Sequence, residues 1–373
     1  MRWDVFCRVV DNFGDIGVCW RLARQLVNEH GRWVRLWVDD WTALRRLVPT
    51  VPETAVPCLV DGVEIHPWAL AEQARECAEC VIEAFACTLP ASYLAAMRAR
   101  AEAPVWINLE YLSAEAWIED CHGLPSPDPA TGLPKYFYFP GFTARSGGLI
   151  REHDVRVRRD AAQGMDGRML WLARHATVGA SPAAYWVSLF CYDNAALPAL
   201  LSAWQAGPHP LVLWVPDGRA LTQVTRCLAM EAVQARAGAL TVRALPFLTL
   251  RDYDALLAVC DLNFVRGEDS FVRAQWAARP LVWQAYRQAD AAHLVKVDAF
   301  LARYVADLAP ADGEMLRRFW HGWNMERLAG DDWAALAPRL PVLAEHARAW
   351  CGALSARSDL AERLVNFVDR IVK

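Results

Sequence analysis

Two carboxylates lie four residues apart in a glycine-containing segment near the start of the chain, Asp11-Asn12-Phe13-Gly14-Asp15-Ile16-Gly17. The segment follows an apolar, strand-like run from Trp3 to Val10 and opens an amphipathic, helix-like run. Ligands of α/β folds bind outside the carboxyl ends of the strands, where such turns lie. A carboxylate pair there suits acid/base chemistry, and Gly14 allows a ligand close to the backbone. The alternative is that Asp15 only caps the helix and Asp11 only forms the turn.

A second segment has the same strand–turn–helix pattern. The strand-like run Leu262–Val265 leads into Arg266-Gly267-Glu268-Asp269-Ser270. The free N–H groups and the dipole of a helix start favour phosphates, and Arg266 adds a forked cation that suits the same ligand. Gly267 lets the backbone come close, and Ser270 can cap the helix or bind a phosphate oxygen.

The acids in this second segment, Glu268 and Asp269, would repel a phosphate unless they face hydroxyl groups. A ligand that carries both a diphosphate and sugar hydroxyls removes the conflict, and a nucleotide-sugar is such a ligand. The alternative is a well-capped helix with a surface Arg–Asp pair, which contributes less than about 1 kcal/mol.

Two aromatic residues could hold a nucleobase. Phe190 and Tyr192 alternate at the end of a predicted strand, so they face the same side if the strand persists. Aromatic stacking contributes roughly 1–3 kcal/mol per base in single-strand binders. The alternative is that both rings belong to the core.

Composition excludes several classes of protein. The 373 residues exceed one ordinary core and predict two domains, while 55% hydrophobic and 22% charged residues indicate a globular chain. A formal net charge of -4 argues against a general nucleic-acid binder. We find no run long enough to span a bilayer and no secretory signal, and eleven scattered cysteines favour a reducing, cytoplasmic setting.

One C-x-x-C, Cys77 and Cys80, stands alone in the sequence without a second pair. Buried free thiols are a simpler interpretation of this pair than a zinc or redox site, and we expect no metal. The sequence also lacks the phosphate-loop signature and G-x-G-x-x-G, which argues against a dinucleotide oxidoreductase.

Two series of alternating strand and helix signals predict parallel sheets covered on both faces. Between them, prolines and aromatics crowd residues 125–148, which we interpret as a long structured loop or hairpin. The charged stretch 151–166 is expected to begin an interdomain region that ends before Ser181.

With these segments in hand, the chain resembles the bacterial elongation factor P arginine rhamnosyltransferases. The resemblance rests on residues 11–26, on Pro246-Phe247-Leu248 with Tyr253-Asp254, and on residues 264–271. It covers essentially the whole chain.

The resemblance implies an α/β fold of GT-B glycosyltransferase architecture, with two Rossmann-like domains facing across a cleft. It implies an acceptor-binding domain over 1–176 with a linker at its end, a nucleotide-sugar-binding domain over 177–352, and a C-terminal helix, 353–373, that returns to the first domain. The implied reaction moves L-rhamnose from dTDP-β-L-rhamnose to an arginine at a loop tip of elongation factor P. The anomeric centre inverts, no metal or other cofactor is needed, and the modified factor rescues ribosomes stalled at polyproline. The alternative is a nucleotide-sugar transferase that acts on a small molecule.

The resemblance also implies roles for individual residues. Asp15 matches the proposed general base, Asp11 its essential neighbour, and Glu268 a glutamate needed in the donor site. The remaining substrate-binding candidates are Asn12, Phe13, Gly14, Phe190, Tyr192, Phe247, Arg266, Gly267, Asp269 and Ser270. Of these, Phe190, Tyr192 and Phe247 are expected around the thymine. Leu250 stands where the family has glutamine, so the corresponding hydrogen bond to the base is missing or supplied elsewhere.

Overall fold

The structure is a computed structural model that describes residues 1–10, 13–175, 181–229 and 234–372. Its contacts divide the chain into two compact units. The first comprises Met1–His153 and Ser355–Lys373, and the second comprises Asp154–Leu354.

The first unit is built on a mainly parallel sheet of eight strands among the described residues, ordered β3-β4-β2-β1-β5-β6-β8-β7. Its strands are β1 (Arg2–Cys7), β2 (Trp33–Val38), β3 (Cys58–Val60), β4 (Val63–Pro67), β5 (Cys80–Ala84), β6 (Val105–Leu109), β7 (Pro125–Pro127) and β8 (Pro134–Tyr138). Its helices are α1 (Gly14–Asn28), α2 (Trp41–Leu47), α3 (Trp68–Ala71), α4 (Ala91–Arg98), α5 (Ile118–Cys121) and α16 (Leu360–Val372). Strands β5 and β6 are buried along their whole length, as expected for a parallel sheet covered on both faces.

The second unit has a six-stranded sheet within the described residues, ordered β11-β12-β10-β9-β13-β14. Its strands are β9 (Tyr185–Leu189), β10 (Leu211–Pro216), β11 (Gln234–Ala237), β12 (Leu240–Leu245), β13 (Leu262–Arg266) and β14 (Leu281–Gln284). Its helices are α6 (Val155–Ala162), α7 (Gly164–Arg174), α8 (Leu197–Ala206), α9 (Arg219–Leu228), α10 (Leu250–Val259), α11 (Asp269–Trp276), α12 (Ala292–Tyr304), α13 (Pro310–Asn324), α14 (Gly330–Leu336) and α15 (Leu340–Ser355). The pairs from β12 through β10, β9 and β13 to β14 are parallel, and only β11 runs antiparallel to its neighbour.

The region between the two predicted series is more ordered than a loop. Strands β7 and β8 form an antiparallel pair at one edge of the first sheet, which is the hairpin form of the prediction for residues 125–148. The charged stretch 151–166, expected to begin an interdomain region, instead enters helices α6 and α7. Both helices pack against α10, so the contacts divide the chain after His153 rather than near residue 176.

Helix α16 lies at the end of the chain and belongs to the first unit, where it packs against α1 and β6. Its buried face includes Leu360, Leu364 and Val368. Across the described residues, no helix is long and apolar enough to cross a membrane.

Candidate functional site

Asp15 lies at the carboxyl end of β1, in the first turn of α1. The residue before the helix is Phe13, whose side chain makes no capping hydrogen bond, and α1 begins at Gly14. The Asp15 side chain is 2% exposed, and its Oδ2 accepts a hydrogen bond from the Val10 amide at 2.8 Å. Asp15 is therefore not the N-cap residue, so the part of the alternative that assigned Asp15 to capping is wrong. The helix dipole stabilises an anion at this position.

A second carboxylate near Asp15 is Asp39, which pairs with Arg8, with Nε–Oδ2 at 3.8 Å. Asp39 accepts from the amide of Val9, the neighbour of Val10, at 2.9 Å. The pKa of the Cys7 thiol lies well above its usual value because Cys19 bonds to it, burial disfavours the thiolate, and Asp15 and Asp39 repel that charge. Cys7 is therefore a neutral thiol. The other two candidates of this segment, Asp11 and Asn12, lie outside the described residues.

Phe13 and Gly14 share the same turn as Asp15. Both are half-buried, and the guanidinium of the exposed Arg46 lies 5.5 Å from the Phe13 ring centroid. A cation over an aromatic face contributes about 0.5–1 kcal/mol at an exposed site. This contact links the start of α1 to helix α2.

The second predicted segment forms a tight turn between β13 and α11. Gly267 has φ +60°, in the left-handed region where a side chain is strained, so glycine is favoured there. Glu268 is the half-buried N-cap residue, and α11 begins with the buried Asp269 and Ser270. The Ser270 Oγ accepts from the Arg266 amide at 3.1 Å and donates to the Arg266 carbonyl, so the serine closes the turn.

Arg266 is enclosed by two aromatic rings. Its guanidinium carbon lies 4.5 Å from the Phe190 ring centroid and 4.4 Å from that of Tyr192. Arg266 is only 9% exposed, and among the described residues its buried Nη1 has no hydrogen-bond partner. A desolvated cation with an unused donor is poised to bind an anionic oxygen.

The aromatic pair does not alternate along a strand as predicted. Strand β9 ends at Leu189, so both rings follow the strand, yet they still meet at one guanidinium. Cys191 between them is buried, and burial raises the pKa of its thiol to about 12 although Arg266 opposes the rise. The thiol is therefore not a nucleophile at neutral pH.

Phe247 and Leu250 lie where β12 connects to α10. Phe247 is half-buried in the connection, and Leu250 is the first residue of α10. Thr249 caps this helix by accepting from the Asp252 amide at 3.2 Å. Leu250 therefore occupies a helix start, where it offers no side-chain hydrogen bond.

An ion pair between α10 and α11 fixes the position of α11. The sequence motifs did not predict this pair. Arg273 on α11 binds both carboxylate oxygens of Asp254 on α10, with Nε–Oδ1 at 3.0 Å and Nη2–Oδ2 at 2.7 Å. The Arg273 side chain is 1% exposed. Asp254 belongs to the quoted motif Tyr253-Asp254 and Arg273 follows the motif 264–271, but only the packing of α10 on α11 shows that they pair.

Of the cysteine pair, Cys77 lies just before strand β5 and Cys80 begins it. Cys77 and Cys80 are both buried, and burial raises the pKa of each thiol. In the part of the chain that the structure describes, no group of three or more histidine, cysteine or acidic side chains could hold a metal ion.

Comparison with known proteins identifies the family. Residues 3–369 match the family model described as Elongation-Factor P (EF-P) rhamnosyltransferase EarP. The chain is similar to two proteins named protein-arginine rhamnosyltransferase, at 48% identity over 371 residues in Pseudomonas putida and 49% over 376 residues in Pseudomonas aeruginosa. Each alignment covers 98% of both chains.

Solved structures show the fold. The chain is similar, at 35% identity and a TM-score of 0.70 over 99% of both chains, to the protein in "Structural basis for EarP-mediated arginine glycosylation of translation elongation factor EF-P". The spinosyn forosaminyltransferase SpnP shares the fold alone, with 11% identity, a TM-score of 0.52 and 99% of both chains covered. The architecture is the GT-B glycosyltransferase type, as expected from the sequence. The chain belongs to the EarP family of elongation factor P rhamnosyltransferases.

Proposed function

We propose that this protein transfers L-rhamnose from dTDP-β-L-rhamnose to one arginine of elongation factor P, with inversion at the anomeric carbon and without a metal ion. The observation that carries the proposal is the family match over residues 3–369. The proteins named protein-arginine rhamnosyltransferase, at 48% and 49% identity, support the same activity. We also propose that the reaction takes place in the cytoplasm.

The acceptor chemistry belongs to the first unit in this proposal. A guanidinium is a poor nucleophile because its pKa exceeds about 12. A carboxylate can orient one guanidinium nitrogen toward the sugar and accept its proton as the C–N bond forms. Asp15 is our candidate for this base because its carboxylate is held by the Val10 amide at the carboxyl end of β1. Asp11 is the proposed neighbour that helps to bind the cation.

The donor chemistry belongs to the second unit. As the C–O bond breaks, negative charge develops on the dTDP leaving group. Arg266 and the N-terminus of α11 at Ser270 would stabilise that charge, supported by the unused Nη1 donor of Arg266. Glu268 and Asp269 would accept hydrogen bonds from the sugar hydroxyls. Phe190, Tyr192 and Phe247 are proposed around the thymine.

The direct test is incubation of the protein with elongation factor P and dTDP-β-L-rhamnose, followed by intact-mass measurement. We expect one added deoxyhexose on the factor, and peptide mapping should place it on an arginine. If the donor is consumed only with a small-molecule acceptor while the factor stays unmodified, the protein is a nucleotide-sugar transferase of another specificity.

Asp15→Asn tests the base. The amide cannot accept the proton, so we expect transfer to fall by about 100-fold or more while dTDP affinity stays unchanged. Calorimetry with dTDP and the rate of mass gain on elongation factor P measure the two quantities. Asp61→Asn is the matched control, because that carboxylate is 52% exposed and pairs with Arg24 at the surface. A near-normal rate for Asp15→Asn would remove the base assignment.

A further inference from the structure

The end of β14 lies directly beside the turn of residues 266–270, to which the proposed function assigns the nucleotide-sugar donor. Strand β14 pairs in parallel with β13, and its last two residues, Trp283 and Gln284, are in register with Val265 and Arg266. Neither residue lies in a motif that predicts a role for it. The Trp283 side chain bonds to the Gly267 carbonyl, and the Gln284 side chain bonds to the Tyr192 amide.

Trp283 holds the turn and the helix that follows it. Its indole Nε1 donates to the Gly267 carbonyl at 2.9 Å. Its ring stacks on Phe271 in the first turn of α11, with centroids 4.2 Å apart and planes 11° from parallel. One rigid side chain therefore fixes both the left-handed glycine and the helix start. The orientation of the amides at the start of α11 depends on both contacts.

Gln284 holds the backbone of Tyr192, one of the two aromatic residues that enclose Arg266. Its Oε1 accepts from the Tyr192 amide at 2.9 Å, and the residue is 5% exposed. This bond fixes the backbone that carries Tyr192, whose ring lies against the Arg266 guanidinium. Gln284 thus fixes the position of the Tyr192 ring, one of the two rings that enclose the Arg266 guanidinium.

Asn324 at the end of α13 fixes the end of β14 in turn. Its Oδ1 accepts from the Ala285 amide at 3.0 Å, and its Nδ2 donates to the Trp283 carbonyl at 2.8 Å. The strand end cannot shift without breaking buried hydrogen bonds, which cost more to leave unmade than they contribute when formed. The backbone that carries Trp283 and Gln284 is therefore held in place by Asn324.

We propose that Trp283 and Gln284 are positioning residues for the donor nucleotide: they hold the 266–270 turn and the aromatic wall of Arg266 in the geometry that binds the diphosphate. This inference rests on the proposed function, because it assigns the turn to a nucleotide-sugar. Neither side chain needs to touch the donor. Each acts through a backbone group of a neighbouring donor contact.

The test uses the full chain with Trp283→Phe, which retains an aromatic ring against Phe271 and removes the N–H. We expect the Kd for dTDP and the KM for dTDP-β-L-rhamnose to rise about threefold to tenfold, the effect of one net hydrogen bond. The KM for elongation factor P should stay unchanged. Gln284→Met keeps the side-chain length without the acceptor and should show the same split, which covers the case in which Trp283→Phe fails to fold.

Trp186→Phe is the matched control. That buried tryptophan near the start of β9 also loses one indole hydrogen bond, to the Ser181 carbonyl at 3.0 Å, within the same unit and away from α11. We expect a similar change in Tm and no change in either KM. If Trp283→Phe and Gln284→Met bind dTDP like the wild type, the positioning role is wrong although the proposed function stands. If the wild type neither binds dTDP nor transfers rhamnose, the proposed function itself fails.

Discussion

At the scale of single residues, Arg266 combines a buried guanidinium with a donor, Nη1, that has no hydrogen-bond partner among the described residues. Its guanidinium is desolvated between two rings, an arrangement that contributes about 2 kcal/mol when water is excluded. The buried Nη1 without a partner costs roughly 1–3 kcal/mol in the ligand-free protein. An anion that accepts from this atom would recover that cost on binding. The guanidinium is therefore preorganised to bind an anion, and the diphosphate is the anion that we propose.

Arg266→Lys tests this arrangement. Lysine keeps the charge but loses the planar fork and its fit between the rings, so we expect the Kd for dTDP to rise about tenfold to 100-fold. Calorimetry measures the affinity. Arg174→Lys is the control, because the Arg174 side chain is 66% exposed. Equal affinities for Arg266→Lys and the wild type would exclude a diphosphate contact.

His122 gives a pH prediction. Burial, helped by the positive Arg363, lowers the pKa of His122 to about 4, and the neutral ring accepts from the Phe139 amide at 3.1 Å. Its pKa in the unfolded chain is about 6.5, so the folded state resists protonation. The His122 contribution to stability is therefore complete above about pH 6.5 and is lost as the pH falls toward 4.

Urea unfolding at pH 7 and pH 4.5 measures this dependence. His122→Asn keeps an acceptor but cannot ionise, so its free energy of unfolding should fall less than that of the wild type between the two values. An identical loss in both proteins would show that other groups carry the acid sensitivity.

At the scale of elements, each predicted site consists of a strand end followed by a helix start. In the second site, contacts with other helices hold α11 in position. For α11 the fixing contact is Asp254–Arg273, reinforced by Arg158 on α6, whose Nη1 lies 3.4 Å from Asp254 Oδ2. Helix α6 belongs to the stretch that the sequence indicated as interdomain. Its packing on α10 instead makes it part of the support for α11 and the 266–270 turn.

Asp254→Asn tests that support. Removing the charge leaves Arg273, which is 1% exposed, without its bidentate partner, so we expect the free energy of unfolding to fall by about 3–5 kcal/mol. Urea denaturation monitored by tryptophan fluorescence measures the loss. In the control Asp160→Asn the carboxylate is 63% exposed, and the change should stay within about 0.5 kcal/mol. A similarly small change for Asp254→Asn would mean that α11 is fixed by packing alone.

At the scale of the whole molecule, the first unit is closed by the end of the chain. The backbone leaves this unit after His153 and returns at Ser355. Arg363 on α16 donates to the carbonyls of Thr143 and Ser146, at 2.9 Å and 2.6 Å. The stability of the first unit therefore depends on a segment more than 200 residues away in sequence.

Leu364→Ala tests this dependence, because Leu364 on α16 is fully buried. We expect a loss of about 2–5 kcal/mol from the resulting cavity, seen by calorimetry as a lower Tm for the transition of the first unit. Val372→Ala is the control, since Val372 is 61% exposed. If the two variants melt alike, α16 is not part of the core of the first unit.

The sequence by itself determined the local features of this protein. The alternation of apolar strands with amphipathic helices predicted the parallel α/β fold, and the family pattern predicted the GT-B architecture, which is confirmed. It also predicted the strand–turn–helix position of Asp15 and of the 266–270 turn. These features depend on neighbours within one turn or one strand, so residue type and spacing suffice. The catalytic roles of Asp15, Asp11 and Glu268 and the substrate contacts of all other candidate residues stay predictions.

Only the tertiary structure decided which groups meet. It showed that the Val10 amide donates to Asp15 and that the rings of Phe190 and Tyr192 enclose Arg266. It also showed that the Trp283 indole donates to the Gly267 carbonyl. It also assigned the residues of α6 and α7 to the second unit. Apart from the Val10 bond, these contacts join separate strands and helices, and the order of strands in a sheet sets them. A linear pattern does not specify that order, since the same alternation is compatible with several sheets.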